Sequence, residues 1–160
     1  MGHATSASSD SGKSYSKVGG EIVGLFSGLP GTNGVKVLAP ATHNRREFVA
    51  ELNSAVPLFI GSAFKGYVLC KALQRVDSNP ASIETTQLAL DESVWSLDSV
   101  VFNPPCLRGH VSERTALEAM ISHSDNTGAD MILNHITADE VRNFIAQIGL
   151  QHTRIPNSTP

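Results

Sequence analysis

Apolar and polar positions divide this chain near Ser62. Before it, short apolar runs separated by turn formers predict strands; after it, apolar residues recur at helical spacing. Glu21 to Phe26 reads as a short strand. Gly28-Leu29-Pro30-Gly31-Thr32-Asn33-Gly34 is dense turn chemistry, and Val35 to Ala39 reads as a second strand. Arg45 to Leu52 fits either a helix or an extended segment. Pro57 to Ile60 is a short apolar run, expected as a buried strand or strand-like entry. Ser62 to Val76 carries the clearest helical pattern and is ended by Asp77-Ser78-Asn79-Pro80. Asp91 is a candidate N-cap for a short segment through Leu97, and Asn103-Pro104-Pro105 forces a loop. Ser112 caps a helix expected from Glu113 to about His123, and Thr127 to Ile136 should be a buried helix. Thr137-Ala138-Asp139-Glu140 has the form of a capping box before Val141, Phe144, Ile145 and Ile148, with Gly149 as the stop. Gln151 to Pro160 is a polar tail without a closing element. No internal repeat is visible.

A chain of 160 residues has enough material for one core. Residues 1–19, Ser- and Gly-rich, are expected to be a disordered leader ahead of a domain over 20–160. That leader lacks the apolar stretch of a secretory signal, and no run approaches the roughly 18 apolar residues a membrane span needs. A net charge of -3 argues against a nucleic-acid partner. Cys70 and Cys106 do not make a disulfide framework, and Cys70 reads as a buried free thiol. The six histidines are scattered without H-E-x-x-H or a Cys/His cluster, so a metal site such as structural zinc is not expected. Gly12-Lys13-Ser14 is not a phosphate loop: a Walker loop needs a glycine five positions before Gly12, and Ala7 stands there.

The chemistry concentrates in Ser62-Ala63-Phe64-Lys65. At about 100° per residue, Lys71, Gln74 and Arg75 form the wet face of the helix, while Lys65 lies about 120° from Lys71 beside Val68, Leu69 and Ala72. An amine drawn inward loses affinity for its proton and can serve as a base. Ser62, three positions away on the same face, is the hydroxyl within reach. Its place at a helix mouth offers unpaired N–H groups to a developing oxyanion, its own among them. Gly61 permits the tight turn into the helix. S-x-x-K is common, and a serine cap followed by a solvated lysine is its ordinary meaning. Ser124-Asp125-Asn126 is the second motif, a polar tripeptide between two apolar helices whose groups must be satisfied internally. A plain helix-junction cap would explain it alone.

The two motifs in this order resemble the serine β-lactamase and penicillin-binding-protein superfamily, most like class A β-lactamases. The resemblance runs over roughly residues 50–155 and is carried by Pro57 to Lys65, Ala119 to Thr127, and Gly149-Leu150 followed by Thr153-Arg154. It implies an α/β, β-lactamase-like fold: a helical half plus the first strands of an antiparallel sheet. By the same resemblance Ser62 is the acylated nucleophile and Lys65 the base or proton relay. Ser124 passes a proton to the leaving nitrogen, Asn126 binds a substrate amide or carbonyl and helps hold Lys65, and Asp125 ties neighbouring backbone. The partner implied is a small-molecule β-lactam, or an ester or amide; no cofactor is implied. Two family features are missing. No K-T-G or K-S-G triplet follows Ser124, and Ile155-Pro156-Asn157-Ser158-Thr159-Pro160 has no acid where a deacylating glutamate is expected. The expectation is therefore a domain lacking its C-terminal strands, weak or inactive alone, completed by a complementary C-terminal fragment or a second chain. The alternative is a non-hydrolytic β-lactam binder or a serine esterase or peptidase of the same fold.

Overall fold

The computed structural model describes residues 16–103 and 107–159, so Gly12-Lys13-Ser14, Pro104-Pro105 and Cys106 lie outside the described residues. The structure is α/β, with two compact units: one ends at Phe59, the other begins at Ile60.

The first unit opens with α1 (Lys17–Ser27), where a strand was expected over Glu21 to Phe26 and disorder as far as residue 19. The reason is periodicity. Gly19, Ile22, Val23 and Phe26 carry the burial of this element at i, i+3, i+4 and i+7, a helical stripe that a short apolar run concealed. Ser16 caps it, accepting a hydrogen bond from the Gly19 N–H at 3.2 Å. β1 (Val35–Ala39) pairs antiparallel with β2 (Phe48–Leu52), Val37 opposite Ala50, so the open choice over Arg45 to Leu52 resolves to a strand. The Asn33 amide fastens the turn between α1 and β1 by donating to the Leu29 and Gly31 carbonyls. Pro57 to Ile60 forms no strand, and Phe59 is 98% exposed. A proline removes one of very few ladder donors in so short a run.

The second unit contains a 3₁₀ turn (Gly61–Phe64), α2 (Lys65–Val76), α3 (Ser82–Thr85), β3 (Gln87–Leu90), β4 (Gly109–Ser112), α4 (Glu113–Ser122), α5 (Asn126–Ile136) and α6 (Ala138–Gln147). β3 and β4 pair antiparallel, Leu88 opposite Val111; both lie after Ser62, where only helices were expected. Four residues each, they are too short to declare a period in sequence, although Leu88 and Leu90 alternate inward as a half-buried strand requires. Asp91 caps no helix: its carboxylate accepts from the Ser93 N–H at 2.9 Å in an isolated turn.

The helices after β4 follow their sequence signals. The Ser112 hydroxyl caps α4 through the Thr115 N–H at 3.1 Å. Thr137 caps α6 through the Glu140 N–H at 3.2 Å, which is half of a capping box. The other half is absent because the Thr137 N–H bonds the Leu133 carbonyl and the Glu140 carboxylate faces Lys71 at 3.7 Å. Gly149 stops α6: its N–H and that of Leu150 cap the Ala146 and Ile145 carbonyls. α5 is the central element, with Thr127 through Leu133 and Ile136 all buried. Met120, Met131, Ile132, Ile136 and Ile145 are the largest fully buried side chains, each contributing roughly 1.5–3 kcal/mol of burial free energy. Gly128 is the contact point of α4 and α5: a Cβ there would stand 3.0 Å from the Ala116 carbonyl oxygen. Cys70 is free and exposed rather than buried, because burial in α2 follows Lys65, Val68 and Ala72. No helix among the described residues is long and apolar enough to cross a membrane.

Candidate active site

Gly61 adopts φ +50° and turns the chain into the 3₁₀ turn that carries Ser62. Three residues per turn, rather than 3.6, bring i and i+3 close to one line, and the Lys65 backbone N–H bonds the Ser62 carbonyl. Ser62 itself is exposed and occupies a position whose N–H a helix leaves without an internal partner. Lys65 opens α2 and is 2% exposed, as its place on the helix face required.

The buried amine points toward the junction of α4 and α5. Lys65 Nζ lies 2.5 Å from the Ser124 carbonyl oxygen, 2.7 Å from Asn126 Oδ1 and 3.3 Å from Ser124 Oγ. Burial lowers the pKa of this amine; the carboxylates of Asp125 and Asp130 pull it part of the way back. Among the described residues no hydrogen bond joins Lys65 to the Ser62 hydroxyl, so the amine is engaged first with the second motif. A neutral amine satisfies this geometry by donating to the Ser124 carbonyl and to Asn126, which leaves its lone pair for a hydroxyl.

The tripeptide works as a junction. Ser124 has φ +54°, so the chain reverses there; the residue is exposed while its hydroxyl stays within 3.3 Å of Lys65 Nζ. Asp125, fully buried, caps α5 by accepting from the Gly128 N–H at 2.8 Å. Its other oxygen accepts from the Val101 and Phe102 N–H groups at 2.8 and 3.1 Å, which fastens the 101–102 segment to the helix mouth. The Asn126 amide donates to the Leu97 carbonyl at 2.7 Å, which fixes its oxygen toward Lys65. Lys65, Ser124 and Asn126 are thus joined by hydrogen bonds, Asp125 holds the junction, and Ser62 stands three positions before Lys65 without a bond to this group.

Sequence reading missed the layer behind them. Thr127 Oγ1 accepts from the Ser96 N–H at 3.1 Å, and Asp130 receives the Ser96 hydroxyl and both the N–H and hydroxyl of Thr159. The tail is not loose: Ile155 and Thr159 are buried, and Arg142 donates to the Ile155 carbonyl at 3.1 Å. The signal for Asp130 was its position among buried residues on α5, where an acid requires partners. Among the described residues no group of three or more His, Cys, Asp or Glu stands ready to hold a metal.

The beta-lactamase enzyme family (Beta-lactamase2) matches residues 19–160, and the chain belongs to this family. No curated protein matches the chain. Among solved structures it is similar to an ancestral class A beta-lactamase, with a TM-score of 0.73 and 23% identity over 90% of this chain and 54% of that one. PBP-A matches at TM-score 0.70 and 20% identity, over 88% of this chain and 52% of its own. A class A beta-lactamase from Mycobacterium abscessus matches at TM-score 0.70 and 18% identity, over 88% and 52%. The fold is therefore β-lactamase-like, and the chain spans about half the length of the structures it matches.

Proposed function

We propose that this chain is the serine-bearing part of an acyl-transfer hydrolase that opens a β-lactam ring, or a related ester or amide, through an acyl-enzyme on Ser62. The observation that carries the reading is the buried Lys65 amine, fastened to Ser124 and Asn126 one 3₁₀ turn from an exposed serine. Membership of the beta-lactamase family supports it. So does the similarity to a PBP-A variant described as an acyl-enzyme complex with penicillin-G, at 19% identity and TM-score 0.72.

In the proposed reaction Ser62 Oγ attacks the lactam carbonyl carbon, and its proton passes to the Lys65 amine. The Ser62 N–H faces the oxyanion. When the C–N bond breaks, the nitrogen takes a proton from Ser124, which Lys65 replenishes. Asn126 orients the substrate amide. The product of this half-reaction is an ester; releasing it needs an activated water. Ile155 to Pro160 offers no acid for that step, and no K-T-G or K-S-G triplet follows Ser124. We therefore assign the remaining groups to a complementary C-terminal part or second chain, and expect acylation without rapid turnover from this chain alone.

Intact-mass spectrometry after incubation with penicillin tests the reading. A stable adduct on Ser62, lost in Ser62→Ala, supports it; the absence of any adduct refutes it and leaves a structural member of the fold. Rapid multiple turnover of a chromogenic cephalosporin by the chain alone would overturn the assigned need for a second part. The missing acid also favours a second reading, a β-lactam-binding member that acylates and never deacylates; a persistent adduct even with the completing part present marks that case.

A further inference from the structure

We propose that a cavity between the C-terminal ends of α2 and α5 and the first turn of α4 binds a small zwitterion of the α-amino-acid class, its ammonium group on Glu113 and its carboxylate on Arg75. This site is separate from Ser62 and independent of the acyl-transfer reading above.

The cavity has a volume of about 180 Å³ and is lined by Arg75 and Val76 of α2, Ser82 and Thr86 at the two ends of α3, Glu113 of α4 and His135 of α5. Arg75 and His135 lie in the last turns of their helices, whereas Lys65 and Asn126 open them. Along α2 that places the cavity roughly 15 Å from Lys65. Its walls are fastened to one another. The Glu113 N–H donates to the Thr86 carbonyl at 3.0 Å, and Arg75 Nη1 donates to the His135 carbonyl at 3.4 Å. The Arg114 guanidinium pairs with the Glu84 carboxylate and ties α4 to α3.

Glu113 is the residue that points to a ligand. It is 3% exposed, yet its carboxylate accepts no hydrogen bond among the described residues. His135 Nε2 stands 3.9 Å away, beyond hydrogen-bond reach. The first turn of α4 suits a negative group because the positive end of the helix dipole is there, but a buried carboxylate still calls for a direct donor. Among the described residues no fully sealed side-chain oxygen or nitrogen lacks a hydrogen bond, so this carboxylate meets open space, and the space it lines is the cavity. Arg75 spends one N–H on the His135 carbonyl and keeps others to offer. The hydroxyls of Ser82 and Thr86 make no hydrogen bond to the described residues and add two more polar groups to the wall. A lone anion here would meet Glu113, and a lone cation would meet Arg75. A molecule bearing both charges answers both. The cavity has room for about six water-sized molecules, enough for an amino acid with a small side chain, and Val76 gives that side chain an apolar wall.

Titration of the full chain with L-alanine, followed by the NMR signals of Ser82, Thr86, Glu113 and His135, tests the proposal. Those signals should shift and saturate with a Kd of roughly 1 mM. Acetate and methylamine carry one charge each and should bind at least about 10-fold more weakly. L-Tryptophan, too large for the cavity, should leave the four signals in place. Glu113→Gln should weaken L-alanine about 10-fold or more and leave acetate unchanged. Arg75→Met should weaken L-alanine by a similar factor and leave methylamine unchanged.

Four results would overturn it. The first is the absence of saturable shifts in the parent, which leaves Arg75 and Glu113 as charges that merely balance across the gap. The second is acetate or methylamine binding as tightly as L-alanine, which marks a site for a single charge. The third is an equal response to L-tryptophan, which places binding outside the cavity. The fourth is unchanged L-alanine affinity in either folded variant. Arg75 is exposed, so its replacement keeps the test decisive even where Glu113→Gln does not fold.

Discussion

Lys65 is the residue on which the site turns, and its surroundings set opposing demands. Burial disfavours the ammonium form, and two nearby carboxylates favour it. Because burial wins, the amine loses its proton at lower pH than an exposed lysine would. Acylation should rise with pH through that lowered value; a rate that rises only at the ordinary lysine value would contradict it. The sign for stability is the same. Between the folded and unfolded pKa the unfolded chain binds more protons, so stability grows as pH rises across that window. Below the folded pKa the cost of the buried ammonium is fully present. The slope of the urea midpoint with pH in the alkaline range should flatten in Lys65→Met. Lys65→Ala should slow acylation at least about 100-fold, read as adduct yield against time. Asp125 has a different task. Its carboxylate accepts three backbone N–H groups, so Asp125→Ala should cost about 3 kcal/mol or more in chemical denaturation, with adduct formation lost as a consequence of the disordered junction.

At the scale of elements, the site exists because a 3₁₀ turn, α2 and the α4–α5 junction meet. The junction is tight: a Cβ on Gly128 would meet the Ala116 oxygen at 3.0 Å and the Met120 nitrogen at 3.3 Å. Neither is the movable end of a side chain, so Gly128→Ala should push the helices apart and destabilise the protein by about 1–3 kcal/mol in thermal denaturation. The displacement would carry Ser124 and Asn126 away from Lys65, so the acylation rate should fall along with the midpoint. By contrast Cys70, exposed on the opposite side of α2 from Lys65, should react with a thiol reagent without slowing acylation.

The chain belongs to the beta-lactamase enzyme family and spans about half of the structures it matches. Under the proposed completion, supplying the C-terminal half of a class A β-lactamase in trans should raise cephalosporin turnover above that of either part; no gain over the separate parts would refute it. Much of the molecule could be read from the order of its residues alone. The ends of α4, α5 and α6 were legible because Ser112, Thr137 and Gly149 act through their immediate neighbours. The inward turn of Lys65 was legible because helical geometry relates residues a few positions apart. Tertiary structure alone decided the rest. α1 took the place of a strand, β3 found β4, and Asp130 met Ser96 and Thr159, because each outcome depends on partners far along the chain whose approach no local pattern encodes. The engagement of Lys65 with Ser124 and Asn126, rather than directly with Ser62, belongs to the same class: it is set by where two separate helices pack.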